Sequence, residues 1–126
     1  MFQLERGKMN EFKFKSDDMF VLFSRGVVFR GLVETGTGSV GDRVSLETKD
    51  GTLKATITAI EHNRSLIEKT ISGEEIGLLL KQFDLPLANE MVNYAEDEAE
   101  NLPSPQELLK IEYPVYICAT NQNIET

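Results

Sequence analysis

Apolar and polar residues alternate through the first two thirds of the chain, and then the pattern stops. Thr52–Glu61, TLKATITAIE, is the clearest stretch: Leu53, Ala55, Ile57 and Ala59 share one face, and Lys54, Thr56 and Thr58 the other. A period of two predicts a strand with one face in a core and one in water. Met19–Phe23 (MFVLF), Val27–Thr35 (VVFRGLVET) and Arg43–Thr48 (RVSLET) precede it, each rich in β-branched or aromatic residues and bounded by turn residues. Lys49-Asp50-Gly51 predicts the next hairpin turn, because Asp-Gly tolerates positive φ. Ile76–Gln82 (IGLLLKQ) predicts a further buried strand, and Phe12–Lys15 an opening edge strand. Gly31 lies inside a strand, where glycine marks a bend or the close approach of another backbone. Several short strands with closely spaced turns predict a barrel or a sandwich.

Beyond Gln82 the pattern weakens. Ala95–Glu100 (AEDEAE) has no branched aliphatic residue and reads as a solvated stretch. Ser104-Pro105-Gln106-Glu107 spells a capping box with proline at the first helical position, which predicts a short helical turn to about Lys110. Two segments compete to close the sheet: Asn89–Ala95 and Val115–Thr120.

Charge sharpens this division. Residues 1–83 hold 12 Lys/Arg and 12 Asp/Glu, so the whole net charge of -8 falls in residues 84–126, where Lys110 stands against nine acids. The expected organisation is a barrel over residues 1–95 and an acidic C-terminal extension over residues 96–126. The extension would repel a polyanion; the neutral body would not. The single cysteine, Cys118, excludes an intrachain disulfide. No apolar run approaches the ~20 residues of a membrane span, and the first ten residues lack the apolar core of an export signal. A cytoplasmic setting with no membrane partner is therefore expected.

Thr35–Val44, TGTGSVGDRV, contains G-x-G-x-x-G at Gly36, Gly38 and Gly41. A dinucleotide site needs a helix after those glycines, since the helix N-terminus binds the pyrophosphate. Here the following residues alternate like a strand and reach the Asp50-Gly51 turn within about ten residues, too few for a crossover helix. Turns between strands are the expected role, and no cofactor is expected.

The same region carries a resemblance. Gly26, Val28, Gly31, Val33 and Gly36, followed by Val40-Gly41-Asp42 and Val44, resemble the second domain of elongation factor Tu and related translational GTPases. The family runs G-x-V-x-x-G-x-V-x-x-G, then V-G-D-x-V. Ile57–Lys81 extends the likeness through the family's strand ending in Val-Glu and its closing A-G-x-x-V-G-L-L-L-R. The resemblance covers about residues 10–82. It implies a closed antiparallel β-barrel of about six strands, which leaves no exposed sheet edge. The P-loop G-x-x-x-x-G-K-[ST] is absent, so GTP is not an expected ligand. The Arg-Gly pair that introduces the family's closing strand is also missing. By resemblance, Glu61 stands where the aminoacyl end of tRNA docks in the elongation factor. Glu75 replaces a family Asn there, exchanging a neutral donor and acceptor for an anion.

Candidate chemistry is sparse. His62 is the only histidine, so a Zn site is not expected, and no nucleophile–base arrangement is evident. Cys118 and the phenylalanines at 12, 14, 20, 23 and 29 read as core. Arg25, Arg30 and Arg43 in the first hairpins and Arg64 beyond the fourth strand form a basic patch if the fold brings them together. With Glu61 and Glu75 they make the candidate binding surface. The expectation is a free-standing, non-catalytic binding module that docks another protein. The alternative is an accessory protein of translation that binds RNA, the ribosome or a tRNA end.

Overall fold

A computed structural model describes residues 11–93 and 104–120. The acidic stretch Ala95–Glu100 lies outside the described residues.

The main strands are β1 (Lys13–Leu22), β2 (Gly26–Thr35), β4 (Arg43–Thr48), β5 (Gly51–His62), β8 (Glu75–Lys81) and β9 (Val115–Ala119). They form a ring in the order β4–β9–β1–β2–β8–β5, and β5 pairs back onto β4. Every neighbouring pair in the ring is antiparallel. The result is a closed six-stranded barrel, in which no main strand presents a free edge. Three short strands decorate it. β6 (Ser65–Ile67) extends the β5 hairpin, and β3 (Thr37–Ser39) pairs with β7 (Lys69–Ile71).

Alternation drives closure. Phe14, Val27, Phe29, Val44, Leu46, Ala55, Ile57, Leu78, Leu80 and Ile117 point inward and are almost wholly buried. Phe12 is also in the core, whereas Phe20, expected there, sits on the outer face at 38% exposure. The runs read separately as Phe12–Lys15 and Met19–Phe23 belong to one strand, β1. A register shift between Ser16 and Asp18 leaves Asp17 as the extra residue of a bulge. At this bulge the buried Ser16 hydroxyl reaches the carbonyls of Arg30 (2.9 Å) and Asp18 (3.0 Å).

Of the two closing segments, Val115–Ala119 takes the place, between β1 and β4. Asn89–Met91 instead ends helix α1 (Pro86–Met91), with Val92 at its C-cap. The Asn89 side chain braces the approach to α1, accepting from the Phe83 N–H and donating to the Phe83 carbonyl. The predicted capping box is complete in α2 (Pro105–Leu109). The Ser104 hydroxyl accepts from the Glu107 N–H, and the Glu107 carboxylate accepts from the Ser104 N–H. Leu109 and Ile111 then enter the core, carrying the chain into β9.

The glycine loop is a sequence of turns. Gly36 (φ +76) links β2 to β3, Gly38 lies in β3, and Gly41 (φ +100) precedes β4. Strand β4 therefore follows where a dinucleotide site would place a helix.

Candidate functional site

Strand β5 does not keep its alternation. A register shift between Ile57 and Ala59 turns Ile60 into the core and Ala59 outward. Ala59, expected on the inner face with Ile57, thus joins the outer surface, and Glu61 follows it there. This one-residue slip builds the floor of the site, because a shift of one exchanges the two faces of a strand.

Two rows of side chains then cross the outside of the barrel. Val28 pairs with Leu79, and Leu79 with Ala59, giving an apolar row over β2, β8 and β5. In the next row Arg30 pairs with Gly77, and Gly77 with Glu61. Gly77 contributes no side chain, so Arg30 and Glu61 flank a notch. At the far side Leu66 on β6 pairs with Glu61 and stands 72% exposed.

Two clefts meet at this notch. The larger, about 660 Å³, is lined by the cations Lys15, Arg30 and Arg64 and by the acids Asp17, Asp18, Glu61 and Glu75. The smaller, about 330 Å³, has Val28, Ala59 and Leu79 beneath it, Leu22 and Leu66 as walls, and Arg25, Arg64 and Glu61 around it. Glu61, Arg64 and Gly77 belong to both. Five of the six residues singled out from the sequence therefore gather on one face: Arg25, Arg30, Glu61, Arg64 and Glu75. Arg43 does not. It lies at another part of the barrel, where its guanidinium donates to the Thr56 hydroxyl (2.9 Å) and the Gln82 carbonyl (2.6 Å).

Arg64 is held in an unusual way. Asn63 (φ +54) and Arg64 (φ +69) are the two residues between the paired His62 and Ser65. Both central positions of such a hairpin need positive φ, and glycine is the favoured residue at the second. An arginine in the left-handed region gives up on the order of 1 kcal/mol. Among the described residues, the side chains of Arg25, Arg30 and Arg64 make no ion pair, which leaves their donors to solvent or a ligand.

The neighbouring β7–β8 turn is fixed by Glu74. Its carboxylate accepts from the Thr70 hydroxyl (2.7 Å) and the Ile71 N–H (3.1 Å), and these bonds hold its pKa below the usual value. His62 Nδ1 lies 3.9 Å from the same carboxylate, which places the chain's one histidine beside this turn. Cys118 is half-buried in β9, and burial pushes its thiol pKa up. Among the described residues no cluster of three or more His, Cys, Asp or Glu could hold a metal ion. Nor is any described helix long and apolar enough to cross a membrane.

Sequence reasoning missed Gly77, Leu66 and the Val28–Leu79–Ala59 row. The row forms only across strand pairings, and no local pattern announces it. The family-like Gly77 was the one signal present.

No protein-family model matches the chain. Among solved structures the fold is similar to translation elongation factor SelB from Methanococcus maripaludis. The likeness holds for SelB in its apo form and in complex with the GTP analogue GPPNHP, each with a TM-score of 0.61 at 14% identity over 87% of this chain. The chain spans 19% of the SelB chain's length. The fold is that of a translation-factor β-barrel domain.

Proposed function

We propose that the chain is a non-catalytic binding module of translation-factor barrel type, which docks another protein through the outer face of β2, β8 and β5. The observation that carries this reading is the mixed charge of the larger cleft. Lys15, Arg30 and Arg64 are interleaved there with Asp17, Asp18, Glu61 and Glu75. A polyanion laid along this face meets four carboxylates, and its affinity depends on neutralising phosphates with cations. A protein surface carries both signs and matches an alternating field. The outward-facing apolar row beside the cleft, with Leu66 exposed at its edge, supports the same reading, since exposed apolar area beside polar groups marks interaction surfaces. The likeness to a translation elongation factor supports a soluble, cytoplasmic setting among the components of translation.

A second reading is binding of RNA, the ribosome or a tRNA end. It is favoured by that same likeness and by the resemblance that sets Glu61 where the aminoacyl end of tRNA docks in the elongation factor.

The two separate in one experiment. Parent chain and an Arg30→Glu/Arg64→Glu variant are used to capture partners from native lysate, with and without RNase. Docking of a protein predicts RNase-resistant capture that the variant loses. Capture that RNase abolishes, with nucleic acid recovered from the parent, overturns the protein reading in favour of RNA.

A further inference from the structure

The smaller cleft combines features that neither charge nor apolarity alone would require. Val28 and Leu79, at 7% and 9% exposure, lie on the outer face of a barrel, with Leu66 standing exposed beside them. Arg25 and Arg64 border that apolar floor. Gly77 keeps the floor open, and packing does not require a glycine there. A Cβ at Gly77 would meet Val28 Cγ1 at 3.5 Å and the Glu61 carboxylate at 3.8 Å, ordinary contacts both. A branched residue would also suit a strand better. Leaving glycine here preserves depth rather than fold.

Resting on the docking reading above, we propose that this groove receives an apolar side chain from a partner protein whose neighbouring residues are acidic. The side chain lies over Val28, Leu79 and Ala59. The flanking carboxylates pair with Arg25 and Arg64, whose guanidinium groups can each take a carboxylate in bidentate fashion. Glu61 sets the limit of the acidic segment. It stands at the boundary with the larger cleft, where Asp17, Asp18 and Glu75 repel any longer run of negative charge. The groove therefore selects a short acidic–apolar–acidic segment over an extended polyanion.

The test uses a fluorescein-labelled heptapeptide, Ser-Asp-Glu-Leu-Asp-Glu-Ser, with the full chain and fluorescence anisotropy. Replacing its central leucine by alanine should weaken binding about tenfold, the scale of burying one aliphatic side chain. Replacing its acids by lysine should abolish it. Raising salt should weaken binding by a few-fold, because the pairs lie at the rim. Gly77→Leu, which fills the floor, and Leu66→Ser, at an exposed wall, should each weaken it at least fivefold. Far-UV circular dichroism should match the parent for both, and Leu66→Ser remains informative if Gly77→Leu folds poorly.

Equal affinity for the leucine and alanine peptides overturns the proposal. So does tighter binding of a poly-uridine oligonucleotide than of the peptide. Binding that emerges only when Glu96, Asp97, Glu98 and Glu100 are neutralised to Gln and Asn assigns the groove to the chain's own acidic segment, and also overturns it. Partner capture that is lost in Arg30→Glu/Arg64→Glu but unaffected by Gly77→Leu and Leu66→Ser would keep the docking face and discard the groove's assignment.

Discussion

Replacing Gly31 by alanine should be among the most damaging single changes in this barrel, although it adds one methyl group. A Cβ at Gly31 would lie 1.9 Å from the Lys15 carbonyl oxygen, 2.8 Å from the Lys15 carbonyl carbon and 2.9 Å from Ser16 Cα. All three are backbone atoms, so no side chain can rotate away. Merely reaching 3.0 Å requires β1 to retreat by about 1.1 Å. Yet Lys15 and Ser16 are paired on their other side with Tyr116 and Val115 of β9, so β1 cannot move alone. The retreat also strains the hydrogen bond from the buried Ser16 hydroxyl to the Arg30 carbonyl. Overpacking of this kind costs about 1–3 kcal/mol, and a buried hydroxyl left unsatisfied adds about 1–3 kcal/mol. A combined loss near 3 kcal/mol, divided by a urea slope of about 1.5 kcal/mol per M, lowers the denaturation midpoint by about 2 M. Leu32→Ala, at the neighbouring exposed position, is the control and should lose less than about 1 kcal/mol. A Gly31→Ala midpoint within about 0.3 M of the parent would show that β1 and β2 do not approach as described, and the argument from close contact would fail.

Other outcomes follow from the same structure. Glu74 has a depressed pKa, caused first by the Thr70 hydroxyl and then by the Ile71 N–H. Its contribution is therefore present above its unfolded value of 4.5 and is lost as pH falls below that through the folded pKa. Melting temperatures measured across that range should fall less steeply for Glu74→Gln than for the parent; superimposable profiles would refute this. Ser104→Ala removes the hydroxyl arm of the α2 capping box, which accepts from the Glu107 N–H, and should destabilise the chain by about 0.5–2 kcal/mol in urea titration; an unchanged midpoint would mean that this cap contributes nothing to seating β9. Nicotinamide and flavin nucleotides should give no saturable heat in calorimetry, since β4 follows Gly41 where a helix is needed. Micromolar binding would overturn that reading of the loop.

Much of the barrel was legible because its strands obey a period of two and its turns use residues suited to them. Arg43–Thr48, the Asp50-Gly51 hairpin and the Ser104 capping box all lie where local pattern places them. Gly31 was legible as a close approach, although not which backbone comes close. Features that depend on pairing were hidden. The slip between Ile57 and Ala59 moves Ala59 out of the core and sets Glu61 beside Gly77. Nothing in TLKATITAIE marks that slip, since alanine fits either face. The β3–β7 pair and α1 are too short to show a period. Four arginines were singled out by type, but only the register separates Arg25, Arg30 and Arg64 from Arg43. Arg64 carries a further signal that only backbone angles expose, an arginine held where a hairpin favours glycine.

That last residue provides the most direct test of the docking face. If Arg64 is kept for binding, its strained conformation is a loss that the fold itself does not require. Arg64→Gly should leave the urea midpoint unchanged or raise stability by up to about 1 kcal/mol, as left-handed strain is released. The same variant should lose most of the RNase-resistant capture seen with the parent. A less stable variant with undiminished capture would mean that Arg64 serves the hairpin and not a partner, and would contradict the assignment of this face as the site of docking.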